Sequence, residues 1–513
     1  MRLYKLLEDQ PELIFSGLPD LEIMALIDDS RQVVPGALFI AVRGSVSNGH
    51  NYIPDAVARG AAVVVGQEPD PGLEVPYLRV SNSRMALASL AAAWHGNPAR
   101  KLVMIGVTGT DGKTITVNLL FHILQAAGLS VGMITTVNAV IGDRTLDTGL
   151  HVTTPDALEV QKYLAQMVES GMTHCVLEAT SHGLAQRRVA ACDFDLAVVT
   201  NITHEHIDYH GSFEAYRQAK GQLFTWLGEG SAKVDGPIKT AILNRDDSSY
   251  EYLQRITPVR QVTYGLGPGA DVTADEVVSG ADGLRFTIHG QGYNLPVRSA
   301  LIGIYNLDNC LAAFSTALLG LGLPPETAVR GIAMLRQVPG RMEVIDLGQP
   351  FTAIVDFAHT PNALRQVLET ARGLTMGRVI AVIGSAGLRD RKKRRMMTEI
   401  SAELADLTVL TAEDPRTESL EAILDEMAAG ARAQGGSEGT TFVRIPDRGQ
   451  ALRFAVRQAG PGDMVISCGK GHEQSMCFGE VEYPWDDRVA LRAALAEHLG
   501  VDGPSMPRLP TSS

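Results

Sequence analysis

The sequence has little cysteine and no long apolar run, and each shortage excludes a class of protein. Among its 513 residues, only five are cysteines, at positions 175, 192, 310, 468 and 477, without a CxxC pair. This spacing argues against a disulfide framework or a zinc ribbon. No apolar stretch reaches the roughly 18 residues of a membrane span, and the first residues lack the apolar core of a signal peptide. We therefore expect a cytoplasmic protein that does not insert into membranes.

Basic residues are also in short supply. There are 45 Lys and Arg residues against 58 Asp and Glu, which gives a formal net charge of -13. Nonspecific binding to nucleic acid is therefore not expected, and an anionic substrate must be met by a local basic cluster such as RDRKKRR at 389–395. The length and the hydrophobic content of 45% are typical of a chain with about three domains.

The chain alternates between apolar runs, glycine-bearing turns and helical patterns, which predicts α/β domains with largely parallel sheets. A small N-terminal α/β domain is expected over 1–98, with strands in 37–44 and 61–66. A central domain is expected over 99–337, with strands in 102–108, 174–179, 196–201 and 240–244 and a strand-rich excursion over 270–297. A Rossmann-like C-terminal domain is expected over 338–498, with strands in 351–357, 378–384, 407–412, 441–446 and 463–469. The Pro- and Ser-rich tail, 499–513, is expected to be disordered.

The stretch GVTGTDGKT at 106–114 has the features of a phosphate-binding loop. A buried strand, a glycine turn and a helix that begins at Lys113 direct backbone N–H groups at phosphate oxygens. Lys113 adds a point charge, and Thr114 is a candidate Mg²⁺ ligand. The strict pattern is not met, because Val107 stands where its first glycine belongs. A plain tight turn is the alternative, but a Lys–Thr pair behind two glycines has little packing rationale.

Acidic and histidine side chains follow the next buried strands. Glu178 ends one strand, at the edge where parallel sheets place their ligands, and is the candidate metal carboxylate. The loop after the following strand carries His204, Glu205, His206, Asp208 and His210. His206 alone would be interpreted as a structural histidine, but its place beside a phosphate loop favours metal or substrate contact. Lys220 lies on an amphipathic helix, where a solvated surface lysine is the ordinary interpretation.

These motifs, with HVTTPD, LEATSHGLAQRRV, GIYNLDN, PGRME, DFAHTPNAL, EDPR and GKGHE, resemble the Mur ligases of peptidoglycan synthesis in order and spacing. Within that family the resemblance is to the type that adds the third residue to UDP-N-acetylmuramoyl-dipeptide, and it covers about residues 25–495. It implies three α/β domains and a monomeric, ATP-dependent ligase. ATP would phosphorylate the terminal glutamate carboxylate, and the amino group of a diamino acid would displace the phosphate.

The resemblance implies a role for each matching residue. ATP would be bound by Gly109, Thr110, Asp111, Gly112, Lys113, Thr114, Asn306, Asn309, Arg341 and Asp356. Two Mg²⁺ ions would be held by Thr114, Glu178, His206 and Lys220, the last as a carbamate formed with CO₂. Lys113, His206 and Lys220 would be catalytic. The UDP-muramoyl-peptide would contact Ser30, Asn48, Gly49, His50, Thr153, Thr154, Ser181, Gln186 and Arg188. The incoming amino acid would contact Arg389, Glu413, Asp414, Arg416, Gly469 and Glu473.

The sequence departs from the family pattern at three places. The family more often has asparagine at position 111 and aspartate at position 205. Members that take meso-diaminopimelate usually have DNPR where this chain has EDPR, at 413–416. Arg389 and Arg416 are suited to bind a distal carboxylate, which favours meso-diaminopimelate. The doubly acidic pair at 413–414 instead favours lysine or ornithine, and this alternative stays open.

Three other functions share some of these motifs. One is another amide ligase of the same superfamily, of the folylpolyglutamate or cyanophycin type, against which the DSR and HVTTPD segments argue. A second is a non-catalytic subunit of a larger amidotransferase, but such subunits typically carry a cysteine zinc ribbon. A third is a P-loop kinase or mechanical NTPase, which would leave the EDPR and GKGHE segments unexplained.

Overall fold

The computed structural model describes residues 1–8, 18–44, 47–147, 154–230, 232–234 and 236–512. It confirms the predicted α/β class with largely parallel sheets. Within the described ranges, no helix is long and apolar enough to cross a membrane.

The first sheet has four parallel strands in the order β1-β2-β3-β4. Its strands are β1 (Ala25–Ile27), β2 (Ala37–Ile40), β3 (Val63–Gly66) and β4 (Tyr77–Arg79), and its helices are α1 (Leu3–Leu7), α2 (Ile53–Ala58) and α3 (Ser83–Trp94). Strands β2 and β3 are buried throughout because helices and loops cover both faces of the sheet. Both were predicted from their apolar runs.

The second sheet has eight strands in the order β12-β11-β10-β5-β9-β6-β7-β8, and its neighbouring strands are parallel except for the pairs β6–β7 and β7–β8. The strands are β5 (Val103–Thr108), β6 (Val131–Ile134), β7 (Asn138–Ile141), β8 (Arg144–Asp147), β9 (His174–Glu178), β10 (Leu196–Val199), β11 (Thr240–Asn244) and β12 (Arg260–Tyr264). Alternate residues serve two cores, since Ile105 and Val107 pack on one face and Met104 on the other.

Helices flank this sheet, and a separate antiparallel sheet follows it. The helices are α4 (Lys113–Ala126), α5 (Ala157–Glu169), α6 (Ser181–Ala185), α7 (Ile207–His210), α8 (Phe213–Thr225), α9 (Tyr250–Ile256), α10 (Asn306–Ser315) and α11 (Pro325–Met334). The separate sheet consists of β13 (Thr273–Gly280), β14 (Gly283–Gly290) and β15 (Tyr293–Ser299). It confirms the strand-rich excursion predicted over 270–297.

The third large sheet has six strands in the order β16-β17-β21-β18-β19-β20, parallel except for β16. The strands are β16 (Glu343–Val344), β17 (Thr352–Asp356), β18 (Val379–Ile383), β19 (Leu407–Leu410), β20 (Phe442–Arg444) and β21 (Met464–Cys468), followed by the hairpin β22 (Ser475–Phe478) and β23 (Val481–Pro484). The helices are α12 (Pro361–Leu374), α13 (Arg391–Leu404), α14 (Leu420–Ala433), α15 (Arg448–Gln458) and α16 (Asp487–Leu499). All five strands predicted for this region are present.

The prediction of a disordered tail is wrong for residues 501–512. Leu509 is buried, and Met506 packs against the core on one face of the third sheet. The hydroxyl groups of Thr511 and Ser512 each donate a hydrogen bond to the Asp447 carboxylate, at 2.9 Å. The Pro and Ser content was typical of disorder, but composition does not show where a single leucine finds an apolar site.

Candidate active site

The glycine turn between β5 and α4 has the geometry that its sequence predicts. Gly112 has a φ of 82°, and a Cβ added there would lie 2.1 Å from Asn309 Oδ1. A Cβ on Gly109 would lie 1.8 Å from the Thr200 hydroxyl. Helix α4 begins at Lys113, whose ammonium donates a hydrogen bond to the Thr110 carbonyl at 2.8 Å. The turn therefore leaves no room for larger residues and places a lysine at the positive end of a helix.

A hydroxyl and a carboxylate meet beside this turn. The parallel register of β5 and β9 pairs Val107 with Glu178, which brings the end of β9 next to the loop. The Thr114 hydroxyl donates a hydrogen bond to Glu178 Oε2 at 2.9 Å, and both side chains are buried. Oxygen donors of these two types are what Mg²⁺ prefers, and it usually completes its shell with water and substrate phosphates. The pair fits a Mg²⁺ ion bound at a phosphate loop.

Lys220 is not a surface lysine. It is 1% exposed, and its Nζ donates a hydrogen bond of 2.5 Å to the carbonyl of Gly109 in the phosphate loop. The same nitrogen lies 4.7 Å from the centre of the Tyr216 ring. Burial and the nearby Lys113 ammonium hold the pKa of Lys220 well below its usual range. Burial thus disfavours the charged form of this side chain, which is held against the loop that it was predicted to serve.

His206 stands immediately before α7 with a φ of 53°, in the left-handed region that few residues other than glycine adopt. Its ring lies 4.7 Å from the ring of His182, which sequence reasoning missed. Burial lowers the pKa of His206, so the imidazole is neutral and keeps one nitrogen able to accept or to ligate. The signal for His182 was its position four residues after Glu178, at the same edge of the sheet.

These groups line a cavity of about 210 Å³ between the second and third sheets. One wall is formed by the phosphate loop, Glu178, His206 and Lys220. The opposite wall is formed by the third sheet, its loops and helix α12, with residues Asp356, Phe357, Ala358, His359, Ala363, Gln366, Val367, His472, Glu473, Gln474 and Ser475. The described residues do not contain a cluster of three or more His, Cys, Asp or Glu side chains arranged to hold a metal ion. The metal ligands proposed from the sequence therefore share the cavity without forming a complete protein cage.

Three of the four predicted nucleotide residues outside the loop also line this cavity. The Asn309 side chain donates a hydrogen bond to Asn306 Oδ1 at 2.9 Å and lies against the glycine turn. Arg341 places its guanidinium 4.4 Å from the centre of the Phe357 ring. The carboxylate of Asp356 accepts hydrogen bonds from two backbone N–H groups at 2.7 Å. Asn309, Arg341 and Asp356 line the cavity, whereas Asn306 supports Asn309 from behind.

The residues predicted for the UDP-muramoyl-peptide fall into two groups. In the first domain, Ser30 is buried, Asn48 accepts a hydrogen bond from the His50 N–H at 3.1 Å, and the Gly49 N–H donates to Val42 at 2.8 Å. None of these four lines the cavity described above.

The second group lies on the central domain. Arg188 donates to the Thr154 carbonyl at 2.5 Å and to the Gln186 amide oxygen at 2.8 Å. Ser181 lines the cavity. Thr153 lies outside the described residues.

Two loops that carry the predicted amino-acid residues are held together. The Gly387 N–H donates to the Asp414 carbonyl at 2.9 Å, and the Leu388 N–H donates to Glu418 at 3.0 Å. Arg394, which is fully buried, pairs with the same Glu418 carboxylate at 2.7 Å. These contacts bring the loop of Arg389 against the EDPR segment. Leu388, Asp414 and Arg416 all have a positive φ, a concentration of backbone strain that is typical of functional sites.

The other predicted amino-acid residues surround β21. Gly469 has a φ of 109°, and a Cβ there would lie 2.0 Å from Glu413 Oε2, so only glycine fits. Glu473 lines the cavity. Sequence reasoning missed Lys470, which is fully buried and forms ion pairs with both Asp414 and Glu473.

Fold and site together define a nucleotide-binding enzyme in which a phosphate loop faces a second α/β domain. Three family models match the chain: "Mur ligase family, catalytic domain" at 23–95, "Mur ligase middle domain" at 107–317, and "Mur ligase, glutamate ligase domain" at 340–471. The chain belongs to the Mur ligase family and is an ATP-dependent ligase.

Several relatives are similar over nearly the whole chain. A UDP-N-acetylmuramyl-tripeptide synthetase of Roseiflexus sp. (strain RS-1) is 45% identical and covers 98% of this chain and 100% of its own length. A UDP-N-acetylmuramoyl-L-alanyl-D-glutamate–2,6-diaminopimelate ligase of Geobacillus kaustophilus (strain HTA426) is 42% identical, with 94% and 96% coverage.

Two solved structures are also similar to this chain. A UDP-N-acetylmuramoyl-L-alanyl-D-glutamate–2,6-diaminopimelate ligase matches with a TM-score of 0.67 and 31% identity, over 96% of this chain and 99% of that one. A folylpolyglutamate synthase of Mycobacterium tuberculosis matches with a TM-score of 0.62 at 15% identity, which shows a shared fold alone.

Proposed function

We propose that this ligase joins meso-diaminopimelate to the glutamate carboxylate of UDP-N-acetylmuramoyl-L-alanyl-D-glutamate, at the expense of ATP. The observation that carries the proposal is one cavity with the phosphate loop and Lys220 on one side and Glu473 on the other. Lys470 links Glu473 to Asp414 of the EDPR segment. The names of the relatives above support the substrates.

The reaction runs in two steps, because a carboxylate is a poor acyl donor. A glutamate carboxylate oxygen attacks the γ-phosphorus of ATP, and ADP leaves with the electrons of the broken P–O bond. The amino group of the incoming residue then attacks the acyl carbon, phosphate leaves, and the ammonium that forms loses a proton to water. The backbone N–H groups of 109–114 and the Lys113 ammonium stabilise the charge that develops on the phosphoryl oxygens.

Thr114, Glu178 and His206 are the residues that would hold Mg²⁺, which supplies charge neutralisation to the phosphates of ATP when it is bound. As a carbamate, Lys220 would help to hold a second Mg²⁺ ion. Burial supports this role, because CO₂ reacts with a neutral amine and not with an ammonium. The carbamate replaces a buried amine by a fixed anion at the phosphate loop.

Each of the three domains binds a different substrate or part of a substrate. Residues 1–98 bind the UDP portion through Ser30, Asn48, Gly49 and His50, and residues 99–337 bind ATP and the muramoyl-peptide. Residues 338–498 bind the amino acid through Arg389, Glu413, Asp414, Arg416, Gly469 and Glu473. The enzyme acts as a monomer in the cytoplasm.

A second candidate substrate is lysine or ornithine, which the acidic pair Glu413 and Asp414 favours. The test is ATP-dependent ligation by the purified enzyme, with UDP-muramoyl-dipeptide and each amino acid offered separately. We expect phosphate release that requires both substrates and the highest kcat/KM with meso-diaminopimelate. A preference for lysine or ornithine would overturn the choice of amino acid. Phosphate release without formation of a tripeptide from meso-diaminopimelate, lysine or ornithine would overturn the ligase assignment.

A further inference from the structure

Lys470, two residues after the end of β21, is a buried cation shared by two acids of the amino-acid site. Its Nζ lies 3.0 and 3.1 Å from the two carboxylate oxygens of Asp414 and 2.5 Å from Glu473 Oε2. Burial opposes the charge, but the Glu473 and Asp414 carboxylates raise the pKa of Lys470 above its usual value. Lys470 is therefore an ammonium that offsets negative charge inside the site.

Asp414 is fully engaged by this arrangement. Besides the two contacts with Lys470, its Oδ1 accepts a hydrogen bond from the Cys477 N–H at 2.9 Å, and the residue is 5% exposed. Its charge is paired within the protein and is not offered to a ligand. The charge of the aspartate that replaces the usual asparagine is thus offset by Lys470, which Asp414 shares with Glu473.

Glu413 adds little negative charge for a different reason. Its Oε2 is buried without a hydrogen-bond partner among the described residues. Burial raises the pKa of Glu413 to about 7, so the carboxyl is partly protonated at neutral pH. Glu413 and Asp414 therefore present much less negative charge to a ligand than two ionised carboxylates would.

Arg416 keeps its positive charge available. Its main chain is fixed by hydrogen bonds with Cys477 and Gly479, at 3.1 and 2.8 Å. Its Nε is buried and has no hydrogen-bond partner in the described part of the chain. A buried guanidinium N–H without an acceptor is costly unless a ligand supplies one, and a carboxylate is the ligand that matches it.

We propose that Lys470 is a specificity-determining positioning residue, which neutralises Asp414 so that Arg416 selects an amino acid with a carboxylate at its distal end. The inference rests on the proposed function and deepens it. Without the Lys470 charge, Asp414 and Glu473 would present two uncompensated carboxylates, which would repel a distal carboxylate and attract a distal ammonium.

The test compares Lys470→Met with the double variant Lys470→Met/Asp414→Asn, in which both members of the ion pair are neutral. For each protein, kcat and KM are measured with meso-diaminopimelate, lysine and ornithine at saturating ATP and UDP-muramoyl-dipeptide. Lys470→Met should lower the ratio of kcat/KM for meso-diaminopimelate to that for lysine about tenfold, the effect of one charged hydrogen bond. The double variant should restore the ratio to within about threefold of the wild-type value. Lys162→Met, at an exposed helical site, is the matched control and should leave the ratio unchanged.

An unchanged ratio in a folded Lys470→Met protein would overturn the proposal, and so would a double variant that fails to restore it. If Lys470→Met does not fold, the double variant is compared with Asp414→Asn alone, which keeps the Lys470 charge beside Glu473 and should show the higher ratio for meso-diaminopimelate; equal ratios would overturn the proposal. If the wild-type enzyme forms a tripeptide but prefers lysine, the inference fails while the ligase assignment stands. If it forms no tripeptide with any of the three, both fail.

Discussion

The side-chain amide of Asn362 donates a hydrogen bond to the Asp111 carboxylate across 3.1 Å, and this bond ties the phosphate loop to helix α12 of the C-terminal domain. A second tie lies nearby, where the Lys393 ammonium approaches Glu205 at 3.3 Å. Asp111 and Glu205 are two of the places where the sequence departs from its family's usual residues. Both acids are thus used in contacts between domains.

Removing both interdomain contacts should favour conformations in which the C-terminal domain has moved away from the central domain. In the variant Asn362→Ala/Lys393→Ala, two contacts worth about 0.5–1 kcal/mol each are lost, so the ratio of open to closed molecules should rise about five- to thirtyfold. Small-angle scattering without nucleotide should show a larger radius of gyration, and KM for ATP should rise. Arg365→Ala, which removes an ion pair within the same domain, is the control. Identical scattering for all three proteins would contradict the prediction.

Replacing Lys220 should stop ligation without unfolding the protein. Lys220→Ala should lower kcat about a hundredfold or more, the scale of one lost charge-stabilising group. Added bicarbonate should not restore activity, because no amine remains to carry CO₂, whereas short carboxylic acids should restore part of it. Phosphate release measures the effect, and circular dichroism checks the fold. Near-normal turnover in a folded Lys220→Ala protein would remove this residue from the mechanism.

Because of Glu413, the free energy of unfolding should decrease as the pH rises. Its pKa is raised by burial from 4.5 to about 7, so between these values the folded state holds a proton that the unfolded state has lost. The contribution is favourable below about pH 4.5 and is lost as the pH rises towards 7. Arg448, Asp414, Lys470 and Glu473 are the charged groups that face Glu413.

The variant Glu413→Gln does not titrate and should gain stability over the wild type across this window. The gain should be of the order of 3 kcal/mol by pH 8, and nearly zero at pH 4.5. Urea unfolding at several pH values measures it. Glu421→Gln, at an exposed position of α14, should show no such trend. A pH-independent difference between Glu413→Gln and the wild type would be evidence against the assignment.

Glu418 should act on amino-acid binding through the two loops that it joins. The hydrogen bond from Arg394 lowers the pKa of Glu418 to about 2, so the group is a carboxylate at neutral pH. Glu418→Gln should lower the free energy of unfolding by about 1–3 kcal/mol and raise KM for the amino acid several-fold. KM for ATP should stay the same. Glu399→Gln removes an ion pair on the surface of α13 and serves as the control. Equal changes in both KM values would indicate a general loss of structure instead.

The sequence predicted those parts of the site that follow from local pattern. Thr114 and Glu178 were placed together because the carboxyl ends of adjacent parallel strands meet at one edge of a sheet. Lys220 was different, since an amphipathic helix tells which face is apolar but not that a lysine on it is buried. The resemblance to Mur ligases, and not periodicity, identified it.

Contacts between distant segments left no local signal. Asn362 and Asp111 are 251 positions apart, and their contact depends on how two folded domains dock. Lys470 and Asp414 are 56 positions apart, and residue type alone gives their charges but not their pairing. The acidic EDPR segment was therefore interpreted as more negative than the folded site is.

The distribution of thiols allows a fluorescent label to be attached at one cysteine near the amino-acid site. Cys175, Cys192, Cys310 and Cys468 are buried, whereas Cys477 is partly exposed. The N–H of Cys477 donates a hydrogen bond to the Asp414 carboxylate, and its carbonyl accepts one from the Arg416 N–H. A thiol-directed fluorophore would therefore attach at Cys477 without any engineered cysteine, and its emission would follow occupancy of the amino-acid site in real time.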